Sequence, residues 1–230
     1  MPSLPPAIEL AVHRTGDGPP LVALHDLGQT GESMIDALGE LAGMYRIIAP
    51  DLRGHGASPT PAGPWSIDDF ASDVARLTAA EGGGAILVGV GLGAAAGLAL
   101  ALGHPGLASG LVVSGANPRG EDAEGQDRWT RAARALREQA GAEGVALAAE
   151  AMGTRPDVRG ALAQVDVPVI VLAGDADRAV PVEVQRELSA WMQNARFHML
   201  HSGHNVAVER PTELVGAVRS LEHAAEPVAA

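Results

Sequence analysis

Apolar residues along the chain fall into two kinds of run. Short dense stretches at 21–24, 45–49, 85–88, 110–113 and 167–173 are bounded by Gly, Pro, Asn or Asp and predict buried strands. Segments 7–14 and 196–200 read as an opening strand and a late one. Between these lie stretches whose apolar residues recur every three or four positions, predicting helices at 32–42, 92–102, 182–192 and 212–221. A further helix starts at Ser66, with Asp69 three residues on as a capping box and Ile67, Phe70, Val74 and Leu77 along one face.

Repeated strand–helix alternation predicts an α/β fold: one domain over 1–230, with a mostly parallel central sheet and helices on both faces. The rhythm breaks at 117–166, which is rich in Ala and Arg and helical in pattern at 129–140. Residues 118–165 are therefore expected to form a small helical lid over the C-terminal edge of the sheet, where such folds place ligands. The uncharged run 85–103 reaches membrane-span length. Its glycines at 89, 91, 93 and 97 and its strand-like first half fit a buried strand–turn–helix better.

Composition narrows the partners. With 47% hydrophobic and 19% charged residues the chain is globular, and with 3% aromatics its core must be built from aliphatics. A net charge of −12 excludes nucleic acid and anionic membrane surfaces, which need clustered cations. The absence of cysteine excludes disulfides, thiol nucleophiles and Cys-held metal, and fits a reducing compartment. Residues 1–6 carry no basic or apolar leader pattern, so a cytoplasmic location is expected. No cofactor or metal is expected. The expected partner is a modest, mostly apolar small molecule, and a homo-oligomer is compatible with the sequence.

Candidate chemistry centres on Gly89-Val90-Gly91-Leu92-Gly93 between a predicted strand and helix. This is the spacing of a G-x-S-x-G nucleophile elbow. Glycine tolerates the strained centre of that turn best, so Gly91 keeps the shape and removes the hydroxyl. The same residues with Ala94 also satisfy a dinucleotide fingerprint. That fingerprint requires an acid at the end of the next strand, which here runs Val113-Ser114-Gly115-Ala116-Asn117, so a nicotinamide enzyme is disfavoured.

At this point the chain resembles the α/β-hydrolase superfamily, in particular its small esterase, lactonase and peroxidase-like members. Leu24-His25-Asp26-Leu27-Gly28 is similar to the His-Gly-x-Gly loop, and residues 51–58 to a loop of the same members. Asp177 in Ala173-Gly174-Asp175-Ala176-Asp177 matches the triad acid, and His204 in Ser202-Gly203-His204 the triad histidine. The resemblance implies an oxyanion hole from the backbone N–H groups of Leu27 and Leu92. Gly91 and Asp26 together also resemble the N-myc downstream-regulated family, a non-catalytic group without a clear acid–histidine pair. This chain keeps both.

A histidine held by a carboxylate is a usable general base, and His204–Asp177 retains that capacity without serine. Asp175 is the rival acid, placed less well to reach a histidine from the strand end. His25 and His55 read as loop-bonding residues. His25, Asp26, Ser114 and Trp129 are expected to border the substrate pocket, with Ser114 the best substitute hydroxyl. Asp26 has two readings, a residue tolerating left-handed backbone or a second base in the pocket. Ser58 and Ser202 read as loop hydrogen-bonders. Arg128, Arg131, Arg134 and Arg137, at helical spacing, read as a solvated face or a lid surface meeting an acidic ligand.

Three functions follow. The first is an enzyme acting on an ester, lactone or ketone through the His204–Asp177 base and the oxyanion hole, by non-covalent hydrolysis or by lyase, isomerase or cyclase chemistry. The second is a serine esterase or lactonase whose serine at 91 was changed to glycine, which Gly91→Ser would reactivate. The third is a non-catalytic ligand-binding protein.

Overall fold

The computed structural model describes residues 8–222. Seven strands form one sheet in the order β1-β3-β2-β4-β5-β6-β7. The strands are β1 (Val12–Thr15), β2 (Pro20–Leu24), β3 (Arg46–Pro50), β4 (Ala85–Val90), β5 (Ala108–Ser114), β6 (Val169–Gly174) and β7 (Ala195–Leu200). All neighbours are parallel except β1, which pairs antiparallel with β3 at the sheet edge.

Alternation along each strand sends side chains to opposite faces, and each face is covered. Val22, Leu24, Ile48, Leu87, Val113 and Val171 meet α2 (Ile67–Ala80) and α3 (Leu92–Gly103). Leu21, Ala23, Ile47, Val88, Val112 and Ile170 meet α1 (Gly31–Leu38) and α8 (Pro211–Glu222) on the other side. The start of α2 is capped as the sequence predicts, Ser66 N–H donating to the Asp69 carboxylate at 2.7 Å. Ahead of it, Arg53 is buried against Asp73 (2.7 Å), its guanidinium over the rings of Trp65 and Phe70.

The interval between β5 and β6 is helical, with α4 (Ala123–Arg137), α5 (Glu143–Gly153) and a 3₁₀ turn at Arg159–Gln164. Helix α5 is not predicted by the sequence pattern. It buries Ala146, Leu147, Ala148, Ala149 and Ala151 on several sides, which erases the polar stripe that marks a helix. The predicted opening strand begins later than expected, at Val12, and residue 7 lies outside the described residues. Between β6 and β7 lies α6 (Val182–Ala190), and a one-turn α7 (Val206–Glu209) precedes α8. No helix among the described residues is long and apolar enough to cross a membrane.

Candidate active site

The loops after β2, β4, β5, β6 and β7 meet at one sheet edge, as parallel strands require. At the tip of β4 the chain turns sharply into α3 through Gly91, at φ +52 and ψ −111. The Gly91 N–H donates to Ser114 O of β5 at 2.9 Å, and the Gly93 N–H to His25 O at 3.1 Å. A Cβ on Gly93 would overlap Leu24 O, so this glycine lets α3 lie close against β2.

Asp26 follows β2 and reaches sideways into the elbow. Its Oδ1 accepts the Leu27 N–H at 2.7 Å and the Leu92 N–H at 3.1 Å. The two donors expected to form an oxyanion hole therefore converge on a single oxygen, supplied by the protein's own carboxylate. A Cβ built on Gly91 would overlap that same Oδ1. The left-handed reading of Asp26 is corrected, because every positive-φ residue among those described is glycine.

His204, in the loop after β7, stands between two carboxylates. Its Nδ1 is 2.9 Å from Asp177 Oδ2 and its Nε2 is 3.4 Å from Asp26 Oδ2. Asp177 is fixed by the N–H groups of Ala179 (2.8 Å) and Val180 (2.9 Å) and by Gln185 Nε2 (3.2 Å). Asp175 instead pairs with exposed His201 at 2.9 Å. Gly115 leaves room for the imidazole, since a Cβ there would come within 2.7 Å of His204 Cε1.

The electrostatics follow from this placement. Hydrogen bonds to Asp177 and then Asp26 outweigh burial and push the His204 pKa up to about 10. Burial alone would raise Asp177, but its bonds from His204 and the backbone hold it below the usual carboxylate range. At neutral pH, His204 is thus an imidazolium, with a proton on each nitrogen.

These groups open onto a cavity of about 670 Å³, in the range of small-molecule sites. Asp26, Leu27, Gly91, His204 and Trp129 line it, as the sequence suggests. His25 and Ser114 do not, correcting their expected place on the pocket wall. His25 is fully buried as a strut, its Nδ1 at 2.7 Å from Asp26 O and its Nε2 accepting the Leu52 N–H at 2.9 Å. Burial lowers its pKa to about 4, so it stays neutral. Ser114 is buried beneath the elbow. His55 packs edge-on against His25, with centroids 5.0 Å apart. Ser58 bonds the Asp51 carbonyl, as a loop hydrogen-bonder should.

Of the arginine row, Arg128 reaches the cavity, while Arg131 pairs with Asp127 and Arg137 with Glu143 and Glu150 on the outside. Glu121, Arg155 and Arg178 also line the cavity and carry no sequence signal. They come from irregular segments, where periodicity says nothing of direction. Among the described residues no group of three or more His, Asp or Glu is arranged to hold a metal ion.

The model of the alpha/beta hydrolase family matches residues 21–217, spanning β2 through most of α8. The chain belongs to that family. This hydrolase-family chain is 27% identical to 3-oxoadipate enol-lactonase 2 of Acinetobacter baylyi, over 94% of its length and 92% of the relative's. It superposes on a thermophilic esterase of Thermogutta terrifontis, solved with malate bound, at a TM-score of 0.88, with 25% identity and 94% of each chain covered. A hydrolase of Pseudomonas aeruginosa is similar at a TM-score of 0.83, with 27% identity and 94% coverage of each chain.

Proposed function

We propose that this hydrolase-family chain is an enzyme acting on a small carbonyl compound by proton transfer, with Asp26 as base, His204 as acid and no acyl-enzyme. The observation that carries the reading is the Asp26 carboxylate, placed between the elbow N–H groups and the imidazolium. Glycine at 91 offers no nucleophilic atom, which closes the covalent serine route. From sequence, His204 takes the base's role. Its pKa near 10 supports the acid's role instead, and the base's role passes to the Asp26 carboxylate beside it.

In the proposed step, Asp26 takes a proton from the carbon beside the substrate carbonyl. His204 Nε2–H gives its proton to the carbonyl oxygen, leaving an enol and a neutral imidazole. Return of the enol O–H proton to His204 and delivery of the Asp26 proton to a different carbon of the conjugated system complete an isomerisation and restore both residues. Asp177 keeps the imidazole in one orientation throughout. A second reading, favoured by the likeness to an enol-lactonase and an esterase, has Asp26 take its proton from a water that attacks an ester or lactone.

The coupled packing of Gly91 and Asp26 supports a natural site rather than a serine esterase disabled at one position. The test is solvent-deuterium exchange into enolisable ketones and hydrolysis of lactones, followed by NMR. Asp26→Asn should lower either rate by about 10²–10⁴-fold, the usual contribution of a positioned acid or base. Undiminished turnover in Asp26→Asn would overturn the assignment.

A further inference from the structure

The lining of the cavity gathers three arginines on an otherwise acidic protein. Arg128, Arg155 and, from the loop after β6, Arg178 all line it, with Glu121 the one lining carboxylate besides Asp26 of the elbow. Arg155 is buried, with 8% of its surface exposed. It donates to the Met152 carbonyl at 2.7 Å and to Glu121 Oε1 at 2.6 Å, while its Nε is buried and unbonded. Arg178 is exposed and makes no ion pair among the described residues. A buried guanidinium donor without an acceptor is costly unless something completes it.

Glu121 shows which chemistry these donors accept. Its carboxylate receives Arg155, the Trp129 indole N–H at 3.2 Å and Arg128 at 3.5 Å. Three donors, two from α4 and one from the loop after α5, thus surround one carboxylate, and Glu121 offsets only one of the three arginine charges. We infer that this wall binds a carboxylate of the substrate, so that the compound processed at Asp26 and His204 is an anionic carbonyl acid rather than an apolar one. Guanidinium groups recognise carboxylates through paired N–H donors, and exposed Arg178 brings such a fork to the cavity. A net charge of −12 repels anions elsewhere on the molecule, which directs them to this patch. The inference deepens the reading above, since it names the substrate class of the same cavity.

Binding is measured separately from turnover. Succinate, uncharged succinamide and inorganic phosphate are titrated calorimetrically into the whole protein at low salt. Succinate should bind, with affinity falling as salt rises, and succinamide should not. Arg155→Gln and Arg178→Gln should each weaken succinate by about tenfold or more, the effect of losing a charge-assisted hydrogen bond. Arg134→Gln, on the outer row, should leave it unchanged. Arg178 is on the surface, so its variant remains informative should Arg155→Gln fold poorly. Equal binding of succinamide or phosphate, or indifference to both cavity arginines, overturns the carboxylate assignment. Asp26→Asn separates the two readings. Succinate binding that survives in this variant alongside lost turnover supports both, and binding alongside unchanged turnover sinks only the catalytic one.

Discussion

Asp26 Oδ1 occupies the space that the first side-chain atom of any residue at 91 would need. The two positions are therefore one feature: a glycine at the elbow is the condition for a carboxylate from the neighbouring strand to reach the two N–H donors.

That coupling changes what a restored serine should do. Gly91→Ser alone should lose about 1–3 kcal/mol from the backbone conformation, with further loss from overlap with Asp26. It should give little aryl-ester hydrolysis, because the donors stay occupied. Asp26→Gly combined with Gly91→Ser should clear the overlap and produce a burst of acyl-enzyme with p-nitrophenyl acetate. Denaturant unfolding of the two singles and the double should be clearly non-additive. A strong burst from the single variant would contradict the coupling.

Stability should depend on pH through His204. Its folded pKa is raised to about 10, against an ordinary histidine value of 6.5 when unfolded. The stabilising charge is then fully present below pH 6.5 and is lost as pH rises toward 10. Thermal melts should fall between pH 7 and 9.5 more steeply for the native chain than for His204→Gln. Parallel slopes would show that the imidazolium is not held.

Asp177→Asn should lower the His204 pKa, because the largest contribution to its rise is the bond to Asp177. The histidine Cε1–H resonance, followed by NMR titration, gives the direct reading. Turnover should fall together with the pKa, since an asparagine side-chain amide stabilises neither the charge nor the orientation.

Away from the cavity, Asp73→Ala should destabilise the fold by about 3–5 kcal/mol, as expected when one partner of a buried ion pair is removed. Arg53 and Asp73 have side chains only 3% and 1% exposed, so the guanidinium would stay in the interior with the longer Asp69 contact (3.5 Å) and the Asp69 carbonyl as its remaining partners. Urea unfolding measures the loss. A change under about 1 kcal/mol would mean that water reaches Arg53 in the variant.

Much of this architecture was legible in the sequence because strands β2, β4 and β6 are buried on both faces and read as unbroken apolar runs. Gly91, Asp177 and His204 are legible as candidates because each sits in a short local motif. Helix α5 escapes a linear reading because burial on several sides removes its periodicity. The position of the Asp26 side chain was beyond a linear reading. It depends on the lateral distance between two parallel strands 66 residues apart at the contact between Asp26 and Leu92. The inward turn of Glu121, Arg155 and Arg178 is equally a property of packed loops.

His25 gives the β2 loop a further significance. Locked between its own neighbour's carbonyl and the Leu52 N–H, it makes that loop as firm a mount as the elbow itself. Adjacent strands are only about 4.8 Å apart. A reactive group can thus be transplanted from one strand tip to the next while the donors, the histidine and its acid stay where they are, and reagents that seek an activated serine would pass such a protein by.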